Sequence, residues 1–178
     1  MDFHNLLENL KNKSFFSNLI IERGIEKESL RVTKKGYISN KKHPETLGSS
    51  YTNPSITTDF AESLIEIVTP TYTSVDELYE KLKIIHIFIN QNLKDGEMLW
   101  PFSMPPKIED ETKINIATYG KTNMGRLKHV YRKGLAIRYG KTMQCVSGIH
   151  YNFSISVSYT HLRAHETEAD LVCRLLLE

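Results

Sequence analysis

The chain has 178 residues and a mass of 20.5 kDa, with 40% hydrophobic, 25% charged and 10% aromatic residues, a composition that suits one globular domain and excludes intrinsic disorder as the default. Its 23 Lys and Arg against 21 Asp and Glu leave a formal charge of +2, so no global imbalance calls for a nucleic acid or an anionic membrane. Two cysteines, Cys145 and Cys173, are too few for a disulfide framework, and no Cys/His spacing resembles a zinc site.

Residues 1–14 mix Asp2, Glu8, Lys11 and Lys13 among leucines, unlike the unbroken apolar core of a signal peptide. No apolar run reaches the roughly 18 residues of a membrane span, so a soluble, cytoplasmic protein is the expectation. Asp2 is a candidate cap for a short helix with Phe3, Leu6, Leu7 and Leu10 on one face. Residues 19–32 are rich in β-branched side chains, and Lys34, Lys35 and Gly36 form a turn signal before Tyr37, Ile38 and Ser39, which predicts a hairpin. Residues 40–55, rich in Asn, Pro, Gly and Ser, read as a loop before two extended stretches, 56–59 and 63–69. After Pro70, Ser74 with Glu77 makes a capping box. Val75, Leu78, Leu82, Ile85 and Ile89 then recur at three- and four-residue steps until Lys94 and Gly96, which predicts the clearest helix. A loop follows Trp100, and a second helix is expected over about 123–138. Residues 148–156 alternate as a strand, with Ile149, Tyr151, Phe153 and Ile155 expected to face a core and Gly148, His150, Asn152 and Ser154 forming a polar row.

The chemistry-bearing residues gather in a few places. Glu66 sits within the run Leu64-Ile65-Glu66-Ile67-Val68, where an ionised carboxylate costs several kcal/mol unless it is paired or bound to a cation. Its partner is either Arg or Lys, or a metal. Glu26 and Glu28 alternate along one strand and so lie about 7 Å apart on one face. Asp59 ends the stretch 56–59, and His150 lies in the polar row. Four carboxylates and an imidazole are the hard donor set expected for magnesium, a metal that commonly works with nucleotide phosphates. The competing reading places these residues on solvated surface or in a structural ion pair.

Two Gly-Lys-Thr triplets, at 120–122 and 140–142, resemble the end of a P-loop, but Asn115 and Leu135 stand where the first glycine is required. The sequons at Asn12 and Asn152 have no meaning without secretion. Between 121 and 141, Lys121, Arg126, Lys128, Arg132, Lys133, Arg138 and Lys141 occur without an acidic residue. That run reads as a solvated helix face, a nucleic-acid patch, or cations facing substrate carboxylates and phosphates. No stacking aromatics or recognisable module favour nucleic acid.

The blocks IERGIEKESLRV (21–32), ITTDFAE (56–62), WPFSMP (100–105), YGKTN (119–123) and SGIHYNFS (147–154) resemble, in order and spacing, the proteobacterial type of glutamate–cysteine ligase. The likeness covers residues 1–156, the amino-terminal part of a longer family chain. It implies an α+β, glutamine-synthetase-like catalytic fold, with a partial antiparallel sheet carrying the metal and nucleotide site and helices backing it. The implied reaction is the first step of glutathione synthesis: ATP phosphorylates the side-chain carboxylate of L-glutamate, and the amine of L-cysteine attacks the acyl phosphate to give gamma-glutamylcysteine, ADP and phosphate. The resemblance also implies Mg2+, with Mn2+ as a substitute.

Carried over residue by residue, the resemblance implies metal ligation by Glu26, Glu28, Asp59, Glu66 and His150 and nucleotide contact at Asn152. It implies a cysteine pocket at Tyr131, Leu135 and Gln144, and backbone contacts to glutamate at Val146 and Gly148. No residue is assigned as a catalytic acid, base or nucleophile. The departure is residues 157–178, which match nothing in the family; the stretch 161–170 resembles a tail read from sequencing-adapter DNA, although Leu171, Val172, Leu175 and Leu176 could share a helical face. The expectation is therefore a truncated ligase, inactive and poorly soluble on its own because missing strands leave an open sheet edge. The alternatives are another carboxylate–amine ligase of the same superfamily, or a non-catalytic anion-binding module; the partners are small molecules, with neither nucleic acid nor membrane.

Overall fold

The computed structural model describes residues 20–155; the expected helix near the start, the 157–178 tail and Cys173 lie outside them. The chain divides into a unit of residues 23–152 and a second of residues 1–22 and 153–178, and the site belongs to the first. The strands are β1 (Ile21–Val32), β2 (Ile56–Thr58), β3 (Leu64–Val68), β4 (Met98–Leu99) and β5 (Ile149–Ile155); the helices are α1 (Val75–Asn92) and α2 (Asn123–Tyr139).

The strands form one sheet in the order β2-β3-β1-β4, with β5 also on β1. The pairs β1–β3, β1–β4 and β2–β3 are antiparallel, as the α+β expectation requires. In the register, Lys27 faces Ile67, Ser29 faces Ile65 and Leu30 faces Leu64 across β1 and β3. Because side chains alternate, Ile65 and Ile67 point to one face and Leu64 and Glu66 to the other. The first face packs with Ile56 and Leu47 beneath Ile85 and Ile89 of α1, all at most 6% exposed. Each such side chain contributes about 1.5–3 kcal/mol by leaving water.

The second face changes character along its length. At one end Leu30 and Leu64 join Phe60, Ala61, Ile114 and Cys145 in a buried cluster that Leu135 and Ala136 of α2 help to cover. At the other end the same face carries Glu28 and Glu66, and then Glu26. Helices therefore lie on both sides: α1 covers the apolar face, and α2 covers the apolar end of the acidic one.

Local signals behave as their chemistry predicts. Ser74 accepts from the Glu77 backbone N–H to start α1. The helix stops at Asn92, two residues short of Lys94, and Asp95 and Gly96, with φ of 57° and 71°, make the reversal that follows. Val75 is the exception on the α1 stripe, at 56% exposed. Thr122 caps α2 by accepting from Gly125 N–H, so the first Gly-Lys-Thr triplet is a helix entry; Gly140 of the second closes the same helix. The hairpin after β1 is minimal: Thr33 N–H donates to Tyr37, and Val32 bridges Ile38 before the chain turns to Lys107.

One packing expectation fails. Ile149, Tyr151, Phe153 and Ile155 were expected to face a core, yet all four are exposed, by 64, 51, 64 and 40%. This strand pairs with β1, and all seven of its residues are exposed. Alternation reveals that two faces differ; it does not supply the layer that buries one of them.

Candidate functional site

The acidic end of the sheet is built by register. Glu28 lies directly opposite Glu66, and Thr57 faces Glu66 from the other side, so one row crosses three strands. The two-residue repeat puts Glu26 on the same face, and Asp59 follows Thr57 just beyond β2. Like charges directly opposite each other are destabilising, and the electrostatics reflect that. Burial, then the charges of Asp59, Glu28 and Glu26, push the Glu66 carboxyl up to about 6, with Arg132 pulling the other way. Among the described residues it has neither a hydrogen bond nor an ion pair.

Glu28 is raised by burial first; the backbone N–H of Gly148 opposes that, Asp59 and Glu26 add to it, and His150 acts against them. The contact is direct: Gly148 N–H donates to Glu28 Oε2 at 2.8 Å, and Glu28 N–H donates to the Gly148 carbonyl at 3.0 Å. His150 Nδ1 lies 3.2 Å from Glu26 Oε2, with the ring 63% exposed. Asp59 Oδ1 is 3.7 Å from Arg132 Nη2.

The structure thus brings Glu26, Glu28, Asp59, Glu66 and His150 to one side of the sheet, near enough to perturb one another. They do not close further: among the described residues, no three Asp, Glu, His or Cys side chains stand close enough to hold a metal as they are. Unscreened, the carboxylates raise one another, as Glu28 and Glu66 show. Hard oxygen donors with one imidazole, including a carboxyl that nothing else satisfies, have the chemistry of a divalent-cation site.

The softer assignments scatter around this face. Asn152 is exposed on β5, two residues from His150. Tyr131 is 64% exposed, whereas Leu135, one turn on, packs on the Leu30–Phe60 cluster. Gln144 is half-buried in the single turn Thr142–Cys145, and Val146 is exposed. Both backbone groups of Gly148 are engaged by Glu28.

The basic run divides. Lys121, Arg126, Lys133 and Arg138 are exposed. Lys141 turns inward to the carbonyls of Thr112 and Ile114, Lys128 lies 5.3 Å over the Tyr119 ring, and Arg132 reaches Asp59. In the sequence Arg132 is one of seven cations in the basic run and Tyr119 the first residue of the YGKTN block, with nothing in residue type that sets either apart. A signal existed for the arginine: buried Gly125 and half-buried His129, Arg132 and Ala136 recur at helical spacing, so Arg132 lies on the inward stripe.

Known proteins share this fold. The family model described as glutamate–cysteine ligase matches residues 5–172. Glutamate–cysteine ligase of Hahella chejuensis is 50% identical over 149 residues, 84% of this chain and 28% of that one; that of Pseudomonas aeruginosa is 55% identical over 132 residues, 74% of this chain and 25% of its own length. A crystal structure of the Francisella tularensis glutamate–cysteine ligase in complex with AMP superposes with a TM-score of 0.78 at 42% identity, over 81% of this chain and 29% of that one. A bifunctional glutathione synthetase from Pasteurella multocida gives 0.72 at 35%, over 84% of this chain and 20% of that one. The chain spans between a quarter and a third of the length of the curated relatives. The family model spans nearly the whole chain, relatives are about half identical over most of it, and the chain belongs to the glutamate–cysteine ligase family.

Proposed function

We propose that this chain supplies the cation-binding and acceptor-side portion of a ligase that joins the side-chain carboxylate of L-glutamate to the amine of L-cysteine at the expense of ATP, in the cytoplasm, giving gamma-glutamylcysteine, ADP and phosphate. The observation that carries the reading is the row of carboxylates from three strands, with Glu66 raised to about 6 and otherwise unsatisfied. A protein that maintains such repulsion gains from it only when a cation occupies the face.

Glu26, Glu28, Asp59, Glu66 and His150 would hold Mg2+. When bound, it screens a triphosphate from an approaching carboxylate and stabilises charge on the transferred phosphoryl group. The chain's own residues do the rest by position. The Gly148 N–H fixes the direction of Glu28 and partly offsets the burial that raises its carboxyl. His150 braces Glu26. Tyr131, Leu135 and Gln144 offer an aromatic face, an apolar wall and an amide to the cysteine side, with Val146 and Gly148 beside the glutamate and Asn152 toward the nucleotide. The AMP bound by the Francisella relative supports the nucleotide part of this reading.

The test is a chimaera in which residues 20–155 replace the matching segment of the Hahella chejuensis ligase. ATP- and glutamate-dependent phosphate release should require cysteine, and E28Q or E66Q should reduce it at least a hundredfold. Release that proceeds equally with other amines refutes the acceptor assignment, and activity indifferent to both substitutions refutes the cation face.

A further inference from the structure

Arg132 reaches from α2 to the Asp59 end of the acidic face. Its Nε donates to the backbone carbonyl of Asp59, and its Nη1 is held by the Lys128 carbonyl at 3.1 Å. The guanidinium Cζ lies over Tyr119, 4.7 Å from the ring centre. The single Tyr119 hydroxyl proton is in turn shared between the carbonyls of Thr58 and Asp59, whose oxygens lie 2.7 and 2.9 Å away. The Asp59 peptide oxygen thus takes the Arg132 Nε–H and a share of the Tyr119 proton. By contrast its carboxylate stands 3.7 Å from Nη2, beyond hydrogen-bond reach. Arg132 hydrogen-bonds the peptide and holds the carboxylate only at ion-pair distance, with no hydrogen bond to it.

We infer that Arg132 is a positioning residue: clamped on the Asp59 peptide and lying over Tyr119, it fixes where the Asp59 carboxylate enters the acidic face and ties that face to the α2 segment bearing Tyr131 and Leu135. This rests on the cation reading above. The competing role is that of a simple counter-charge to the carboxylates, and the two roles differ in sign. Removing a cation from beside four carboxylates should tighten binding of another cation on charge alone, whereas removing a clamp on a ligand should weaken it, by about 10–100-fold for groups that orient metal ligands.

Mn2+ alone, titrated into the 178-residue chain and followed by loss of the free-ion EPR signal, separates them. R132M should weaken Mn2+ binding about tenfold or more. R132K keeps the charge but lacks the planar fork that can donate while stacking, and should weaken binding too. Y119F removes the second donor to the Asp59 carbonyl and should act in the same direction, less strongly. Far-UV circular dichroism melts accompany each variant, and if R132M is unfolded at the assay temperature, R132K and Y119F carry the test. Unchanged or tighter binding in the folded arginine variants overturns the inference and leaves the cation site standing. No Mn2+ binding by the unaltered chain, or binding indifferent to E28Q and E66Q, overturns the cation reading and this inference with it.

Discussion

Replacing Glu97 by Gln removes one charge from a pair sealed inside the protein. Arg31 of β1 is 1% exposed and meets Glu97, 5% exposed, at 2.7 Å. Its Nη2 donates to the carbonyls of Lys41, Lys42 and Glu62 at 2.8, 2.8 and 3.0 Å, while Nε has no partner. Ser39 Oγ donates to the other Glu97 oxygen. Among the described residues Glu97 is the one carboxylate within ion-pair distance of Arg31, so E97Q leaves a positive charge buried and uncompensated. Breaking such a pair costs about 3–5 kcal/mol, against a total of about 5–15 kcal/mol for a folded domain. With a urea slope of about 2 kcal/mol per M, the unfolding midpoint followed by far-UV circular dichroism should fall by about 2 M. Lys41–Asp95, an ion pair 49% and 71% exposed, is the control: D95N should leave the midpoint almost unchanged, because water screens that pair. The double variant R31M/E97L, which removes both charges, should recover much of the loss. An E97Q midpoint that matches D95N would refute the reasoning, since burial is what separates the two pairs.

Two further outcomes are expected. A Cβ on Gly125 would sit 2.2 Å from the Tyr119 carbonyl oxygen, whereas one on Gly134 of the same helix meets nothing within 4 Å; G125A should cost about 1–3 kcal/mol and G134A should gain up to about 1 kcal/mol, and thermal melts that show G125A stabilised would contradict the packing. For Glu66 the folded carboxyl lies at about 6 against an ordinary 4.5, so the stability its neutral form brings is complete below pH 4.5 and is lost as pH rises through about 6. The full difference corresponds to ~2 kcal/mol, reduced to about 1 kcal/mol because the group is partly open to water. Without divalent cations, E66Q should therefore melt higher than the unaltered chain at pH 7.5 and equal to it near pH 4; equal melts at both pH values would show that the repulsion is absent.

Much of the local structure was legible in the residues. The Ser74 cap and the Leu78–Ile85–Ile89 stripe marked α1, and the extended run around Glu66 marked β3, because caps and periodicity are short-range consequences of backbone geometry. The acidic residues were legible for a different reason: a carboxylate inside Leu64-Ile65-Glu66-Ile67-Val68 conflicts with its setting, and such a conflict points to a site. Arg31 and Glu97 show the limit. They are 66 residues apart, each looks like an ordinary surface residue in sequence, and only burial makes them a pair.

By itself the sequence determined the family, the identity of the acidic residues and the elements that carry them, since each depends on residue type and local spacing. The tertiary structure decided the rest: that Glu28 stands opposite Glu66, that Arg132 turns from a basic helix face to the Asp59 peptide, and that the apolar side of β5 lies open. Register, inward rotation and coverage all depend on contacts between residues distant in the chain, whose closeness no local pattern encodes.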